Sequence, residues 1–108
     1  MRTLRDLETI LSTGLLLKLS NIPPERFHAG RFDYEEATRL VFIFYTVYYL
    51  LGAYNCFGVQ AWFEQKRKEL GDKAPIEILE GAWNPNRGQI KRVMELAKSL
   101  AGQGGCKR

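Results

Sequence analysis

The helix that decides the fold begins at Phe32-Asp33-Tyr34-Glu35-Glu36 and continues towards Tyr54. Asp33 is placed to accept a hydrogen bond from the backbone amide of Glu36, and the Glu36 side chain to reach back, which is the pattern of a capping box. The helix that follows is apolar nearly all round, as expected of a helix in the centre of a bundle or shared across a dimer interface. We therefore expect a homodimer formed through this aromatic helix.

The segments on either side of the central helix also show helical periodicity, interrupted by Pro and Gly. We predict helices over residues 4–20, 23–29, 58–70, 76–80 and 89–101. Gly58 is expected to interrupt the apolar helical run. Gly71 is expected to take the left-handed conformation and Pro75 to begin a helix. The sequence therefore predicts an all-α fold, a compact array of about five to six helices.

At 108 residues the chain has the size of one domain. We predict a helical N-terminal part over residues 1–31, a small helical domain over 32–102 and a flexible Gly-rich tail over 103–108. The N-terminal part has the spacing of a helix-turn-helix, and a degenerate remnant of that motif is an alternative to a working DNA reader.

Residues 40–63 carry no formal charge, and 24 residues are long enough to span a membrane. Thr46, Asn55, Gln60 and several tyrosines lie inside this run, which favours a buried helix over a membrane span. The first residues lack the apolar run of a signal peptide. We expect a cytoplasmic protein without membrane association.

Few residues in this sequence could carry out catalysis. His28 is the only histidine, and the two cysteines, Cys56 and Cys106, have no metal-type spacing, so we expect no metal site. Cys56 lies in the apolar run, where a buried and inert thiol is expected. We therefore predict a binding protein that is not an enzyme and uses no cofactor.

The net charge of +4 is unevenly distributed. Residues 1–86 hold ten Lys/Arg against eleven Asp/Glu, whereas residues 87–108 hold six Lys/Arg against Glu95 alone. Such a segment suits an acidic protein surface or nucleic-acid phosphates. The alternative is that these cations complement the dipole at the C-terminus of a helix.

Residues 62–79 read Trp-Phe-Glu-Gln-Lys-Arg-Lys-Glu-Leu-Gly-Asp-Lys-Ala-Pro-Ile-Glu-Ile-Leu. This stretch resembles the hallmark of the toxin-binding domain of Xre/MbcA/ParS-type antitoxins, in which a Trp-Leu pair is followed by Leu-Gly-Gly, a basic residue, Ser-Pro and a Leu-Glu-Leu-Leu-type helix. The resemblance extends over roughly residues 32–101. Asp72 stands where the family has its second Gly, and residues 81–88 form a longer linker than is usual.

The resemblance implies an antitoxin that binds a RES-type, NAD-degrading toxin and covers its active-site cleft with the C-terminal part of the chain. Carried onto this sequence, the candidate partner contacts are Arg87, Lys91, Arg92 and Lys98, with Trp83 as a further candidate or as a core residue. An alternative function is a DNA-associated transcriptional regulator that uses the basic C-terminal segment and the N-terminal helices. Its candidate DNA contacts are Arg26, His28 and Arg31.

Overall fold

The computed structural model describes residues 4–81 and 83–104. Over these residues the chain forms seven α-helices and one 3-10 helix and no β-strand, which confirms the predicted all-α fold. The helices are α1 (Leu4–Leu11), α2 (Thr13–Ser20), α3 (Pro24–Ala29), α4 (Tyr34–Leu50), α5 (Cys56–Glu64), the 3-10 helix (Lys68–Leu70), α6 (Pro75–Ile78) and α7 (Gly88–Gly104).

The segment over residues 4–20 is two helices, and the prediction of a single helix was wrong. Ser12 separates α1 from α2 with a positive φ of 72°, and its hydroxyl oxygen accepts a hydrogen bond from the amide of Leu15 at 3.3 Å. A serine that caps the next helix in this way competes with continuation of the previous one. The first helix therefore ends at Leu11, and the second begins at Thr13.

The capping box at the start of α4 is confirmed. The Glu36 amide donates to Asp33 Oδ1 at 2.8 Å, and the Asp33 amide donates to Glu36 Oε1 at 3.0 Å. The helix ends at Leu50, four residues earlier than predicted, and residues 51–53 form a turn.

Helix α5 begins before Gly58, where a break had been predicted. The Asn55 side chain accepts a hydrogen bond from the Gly58 amide at 2.9 Å and so caps the helix at its first turn. A Cβ atom at Gly58 would lie 2.8 Å from the Cβ of Tyr54, so this position needs glycine for a close approach. Cys56, at the first position of α5, is exposed, which corrects the expectation of a buried thiol.

The predicted helix over residues 58–70 also ends early, at Glu64. Gln65 is extended, and the Arg67 amide donates to the Lys73 carbonyl at 3.2 Å, which closes a compact loop around the 3-10 helix. Gly71 has a φ of 71°, as predicted, and the following Asp72 is also left-handed. Pro75 is the first residue of α6, again as predicted.

One hydrophobic core joins the two predicted parts of the chain. Helices α4 and α7 pack side by side, α1 packs against α2 and α5, and α2 packs against α4. The core cluster contains side chains from residues 7–27 as well as from residues 40–97. Over the described residues, the two predicted parts therefore share one core.

Hydrogen bonds from three side chains also connect the N-terminal helices to the later part of the chain. Gln60 Nε2 donates to the carbonyl of Ile10 at 2.6 Å. Arg39 Nε donates to the Ser20 carbonyl at 2.7 Å, and Trp83 Nε1 donates to the Leu19 carbonyl at 2.6 Å. The last two bonds satisfy carbonyls at the C-terminus of α2 that lack a partner within the helix.

The C-terminal helix continues further than predicted. Helix α7 runs to Gly104 and so includes two residues of the predicted tail. Residues 105–108, with Cys106 among them, lie outside the described residues. In the part of the chain that the structure describes, no helix is both long and apolar enough to cross a membrane.

Candidate partner-binding surfaces

The four basic candidates of the C-terminal segment are all exposed, but they do not form one patch. Arg87, Lys91 and Lys98 follow one another at spacings of four and seven residues, so they share one stripe of α7. Arg92 lies on the other flank, where it lines a cleft with Leu70 and other residues near the 3-10 helix. Within the described residues, none of these four cations forms an ion pair.

Two of these cations lie at the end of α7 that disfavours positive charge. Arg87 is the residue before the helix, and the Lys91 amide makes the first helical hydrogen bond, to the Arg87 carbonyl at 2.9 Å. The N-terminus of a helix carries a partial positive charge, which stabilises anions and repels cations. The first turn of α7 contains no acidic residue. Complementing the helix dipole therefore does not explain Arg87 and Lys91.

Replacing Arg87 with aspartate is expected to raise the free energy of unfolding by about 1 kcal/mol, because aspartate both caps the helix and favours its positive end. The matched control is Lys98→Asp, which makes the same charge change inside α7 and should lower stability by about 0.5 kcal/mol through helix propensity. Urea denaturation measures both. Equal losses in the two variants would show that Arg87 does not oppose the dipole.

Trp83 is placed differently from the other candidate contacts. Its side chain is only 4% exposed, and its ring meets the ring of Phe42 edge-on with 5.2 Å between centroids. The indole nitrogen is the donor that holds the Leu19 carbonyl. Trp83 is therefore a core residue and is not accessible to a partner.

Of the three candidate DNA contacts, Arg26 is already paired. Its Nε and Nη2 donate to Glu36 Oε1 at 3.1 and 2.7 Å, and Asp33 lies 3.7 Å away. His28 and Arg31 are exposed on either side of Gly30, where α3 ends. Helix α3 has six residues and presents a neutralised arginine, so little of it is available to read DNA.

The protein also has an exposed apolar surface on α4, whose individual residues the sequence did not identify. Four side chains of α4 point into solvent, namely Tyr34, Val41, Tyr45 and Tyr48. With Thr38 they form what we call the α4 stripe, in which successive members are four, three, four and three residues apart. That spacing is present in the sequence, but the surrounding positions are also apolar, so the sequence alone does not indicate which face of α4 is buried.

Within the described ranges, 4–81 and 83–104, no group of three or more His, Cys, Asp or Glu side chains could hold a metal ion. Glu36 is buried, but it is occupied by the capping box and by Arg26. The surfaces described above are therefore the candidate functional sites.

No family model, no curated protein and no solved structure matches the chain. The resemblance of residues 62–79 to the antitoxin family therefore depends on those residues themselves.

Proposed function

We propose that the chain is an antitoxin-like protein of a type II toxin–antitoxin system, which binds a RES-type, NAD-degrading toxin and blocks it sterically through the exposed face of α7. The observation that carries the proposal is the placement of Arg87, Lys91, Arg92 and Lys98. These side chains are exposed and make no ion pair with another described residue. Arg87 and Lys91 oppose the helix dipole and so do not stabilise the fold, which suggests that they serve binding and not stability.

The local structure of the hallmark stretch supports the resemblance. Asp72 replaces the second glycine of the family pattern, yet it has a φ of 64°, a conformation that aspartate tolerates better than most residues. A Gly-Gly pair is what two consecutive left-handed positions favour. Trp62 of α5 and Leu79, the residue after α6, are both buried, and α5 packs against α6, so the spacing of the pattern corresponds here to a packed unit.

The chemistry of the proposed target is compatible with this surface. The pyrophosphate of NAD is anionic, so a partner surface that covers a cleft holding NAD meets negative charge there. Arginine and lysine make strong charge-assisted hydrogen bonds to carboxylates and phosphates. The stripe of Arg87, Lys91 and Lys98 offers three such donors along one side of a single helix.

Affinity purification of the tagged chain from its native cells at moderate salt tests the proposal. We expect a near-stoichiometric partner whose NAD-degrading activity is silent in the complex and appears after dissociation. The variant Arg87→Ala/Lys91→Ala/Arg92→Ala/Lys98→Ala should lose this partner, because it removes the exposed cations from both flanks of α7 that we propose as the contacts.

The matched control is Lys18→Ala/Lys66→Ala/Lys68→Ala/Lys73→Ala, which removes the same charge from exposed positions on other elements. It should retain the partner. Loss of the partner in both variants would mean that net charge and not the α7 face is responsible, and retention in both would overturn the assignment of the site.

The alternative function, a DNA-associated regulator, uses the same basic face of α7, since cations suit phosphates of nucleic acid as well. DNA affinity that falls steeply and linearly with the logarithm of salt concentration, with no protein partner recovered, would favour this alternative. The pairing of Arg26 with Glu36 makes the N-terminal helices the weaker part of such a surface.

A further inference from the structure

The α4 stripe has the geometry of one side of a helix–helix interface. Its members recur at alternating intervals of four and three residues, the spacing that keeps side chains on a single seam between two helices. Tyr34 is 84% exposed, Val41 54%, Tyr45 50% and Tyr48 59%. Large apolar side chains so exposed along a regular seam are unusual on a monomer.

The stripe is a ridge between two open apolar grooves. One groove, of about 440 Å³, lies towards α1 and is lined by Leu4, Leu7 and Phe44 among others. The second, of about 490 Å³, lies towards α7 and is lined by Pro85 and Met94 among others. A ridge that has a groove beside it is complementary in shape to a second copy of itself, because each ridge can enter the groove of the other.

The positions along the stripe also suit a two-fold axis. Tyr34 and Tyr48 lie seven residues before and after Val41. An axis at Val41 brings Tyr34 of one copy to Tyr48 of the other and sets the two α4 helices antiparallel. Two-fold symmetry of this kind places the same surface on both sides of an interface.

The amount of surface agrees with a dimer of modest affinity. Three half-exposed or more exposed tyrosines and a valine offer roughly 500 Å², since an aromatic side chain buries about 150–250 Å² in full. The groove walls add to this, and a stable interface takes about 800 Å² from each partner. The stripe and its grooves are therefore of the right size for one helix–helix contact with its flanks.

The charge pattern argues for a second copy over an unrelated partner. Between Arg39 and Glu64 the chain carries no charged residue, so the C-terminal two thirds of α4 offers nothing for an ion pair. A surface of this kind fits another uncharged apolar surface, because a charge buried against it would lack a partner. The α4 stripe itself has that chemistry.

We propose that two copies of the chain associate through their α4 stripes about a two-fold axis near Val41. The interface lies beside one of the cations proposed for the toxin, because Thr38 of the stripe and Arg87 line the same cleft. The variants that test the dimer leave all four cations unchanged, and the variants that test the toxin contact leave the stripe unchanged, so failure of one proposal is distinguishable from failure of the other.

Cross-linking through Val41 tests the proposal directly. In a background of Cys56→Ser and Cys106→Ser, Val41→Cys should form a disulfide-linked dimer under mild oxidation, because a two-fold axis near this residue brings the two thiols together. The matched control, Lys68→Cys, places a thiol at an exposed position outside the stripe and should not cross-link. Equal cross-linking of both variants would overturn the proposal.

Sedimentation equilibrium of the full chain supplies the second measurement. The wild type should be dimeric at micromolar concentrations, and Tyr45→Lys should raise the dissociation constant at least about tenfold, since the symmetry introduces the lysine twice. Tyr45 is half exposed, so the variant should keep the circular dichroism spectrum of the wild type. A wild type that stays monomeric at 100-fold higher protein concentration would overturn the proposal, whether or not a toxin partner is found.

Discussion

Replacing Trp83 with alanine is expected to lower the free energy of unfolding by about 3–5 kcal/mol, the range for removing a large buried aromatic side chain. The indole fills the space beside Phe42 and is nearly inaccessible to solvent. It also supplies the donor for the Leu19 carbonyl, which would be left buried and unpaired. For a domain of this size, such a loss is a large fraction of the total stability.

The variant Trp83→Phe separates packing from hydrogen bonding. Phenylalanine keeps a ring against Phe42 but cannot donate to the Leu19 carbonyl, so we expect a smaller loss of about 1–3 kcal/mol. Urea denaturation followed by circular dichroism measures both variants. If Trp83→Ala kept wild-type stability and lost only partner binding, Trp83 would be an interface residue after all.

Deleting residues 1–31 is expected to abolish cooperative folding of the remaining chain. The deletion removes six core side chains, namely Leu7, Leu11, Leu16, Leu19, Ile22 and Phe27. It also removes the carbonyls that Arg39, Gln60 and Trp83 bind, and it exposes the apolar face that α4 and α5 turn towards α1 and α2. Differential scanning calorimetry should show no transition for the shortened chain.

The control for this deletion is an insertion of two glycines after Gly30. The insertion lengthens the connection between α3 and α4 but leaves every core side chain in the molecule, and a longer loop costs only a fraction of a kcal/mol. It should unfold cooperatively close to the wild-type temperature. A cooperative transition in the shortened chain would instead establish residues 32–104 as an independent domain.

The features that were predictable from sequence depend on residues close together in the chain. The capping box of Asp33 and Glu36, the left-handed Gly71 and the first-turn position of Pro75 each follow from chemistry within four residues. The buried face of α7, with Ile90, Val93 and Ala97, was predictable as well, because these apolar residues recur at intervals of three and four residues.

The features that could not be predicted depend on competition between local patterns or on distant contacts. Ser12 could continue a helix or cap the next one, and in the structure its side chain caps α2. Gly58 looked like a break, but the need for it comes from the closeness of the Tyr54 side chain. Composition alone does not separate a helix breaker from a glycine needed for space.

The candidate surfaces were also predictable only in part. Charge made the exposure of Arg87, Lys91, Arg92 and Lys98 predictable, and their spacing puts three of them on one side of α7. What that side faces depends on how α7 packs against α4, which the spacing does not determine. The outward face of α4 was hidden because nearly every position of that helix is apolar. Only the packing of the other helices determines which of its aromatic residues stay in solvent.

The bond from Trp83 to the Leu19 carbonyl has a consequence for the synthesis of the chain. It spans 64 positions, and the bond from Gln60 to Ile10 spans 50. Contacts so distant along the chain form slowly, and neither can form on a ribosome until its second residue has been added. The first helices therefore lack these partners while the residues up to Trp83 are translated, and a ribosome that stops before Trp83 yields a chain that proteases can degrade before it reaches a stable fold.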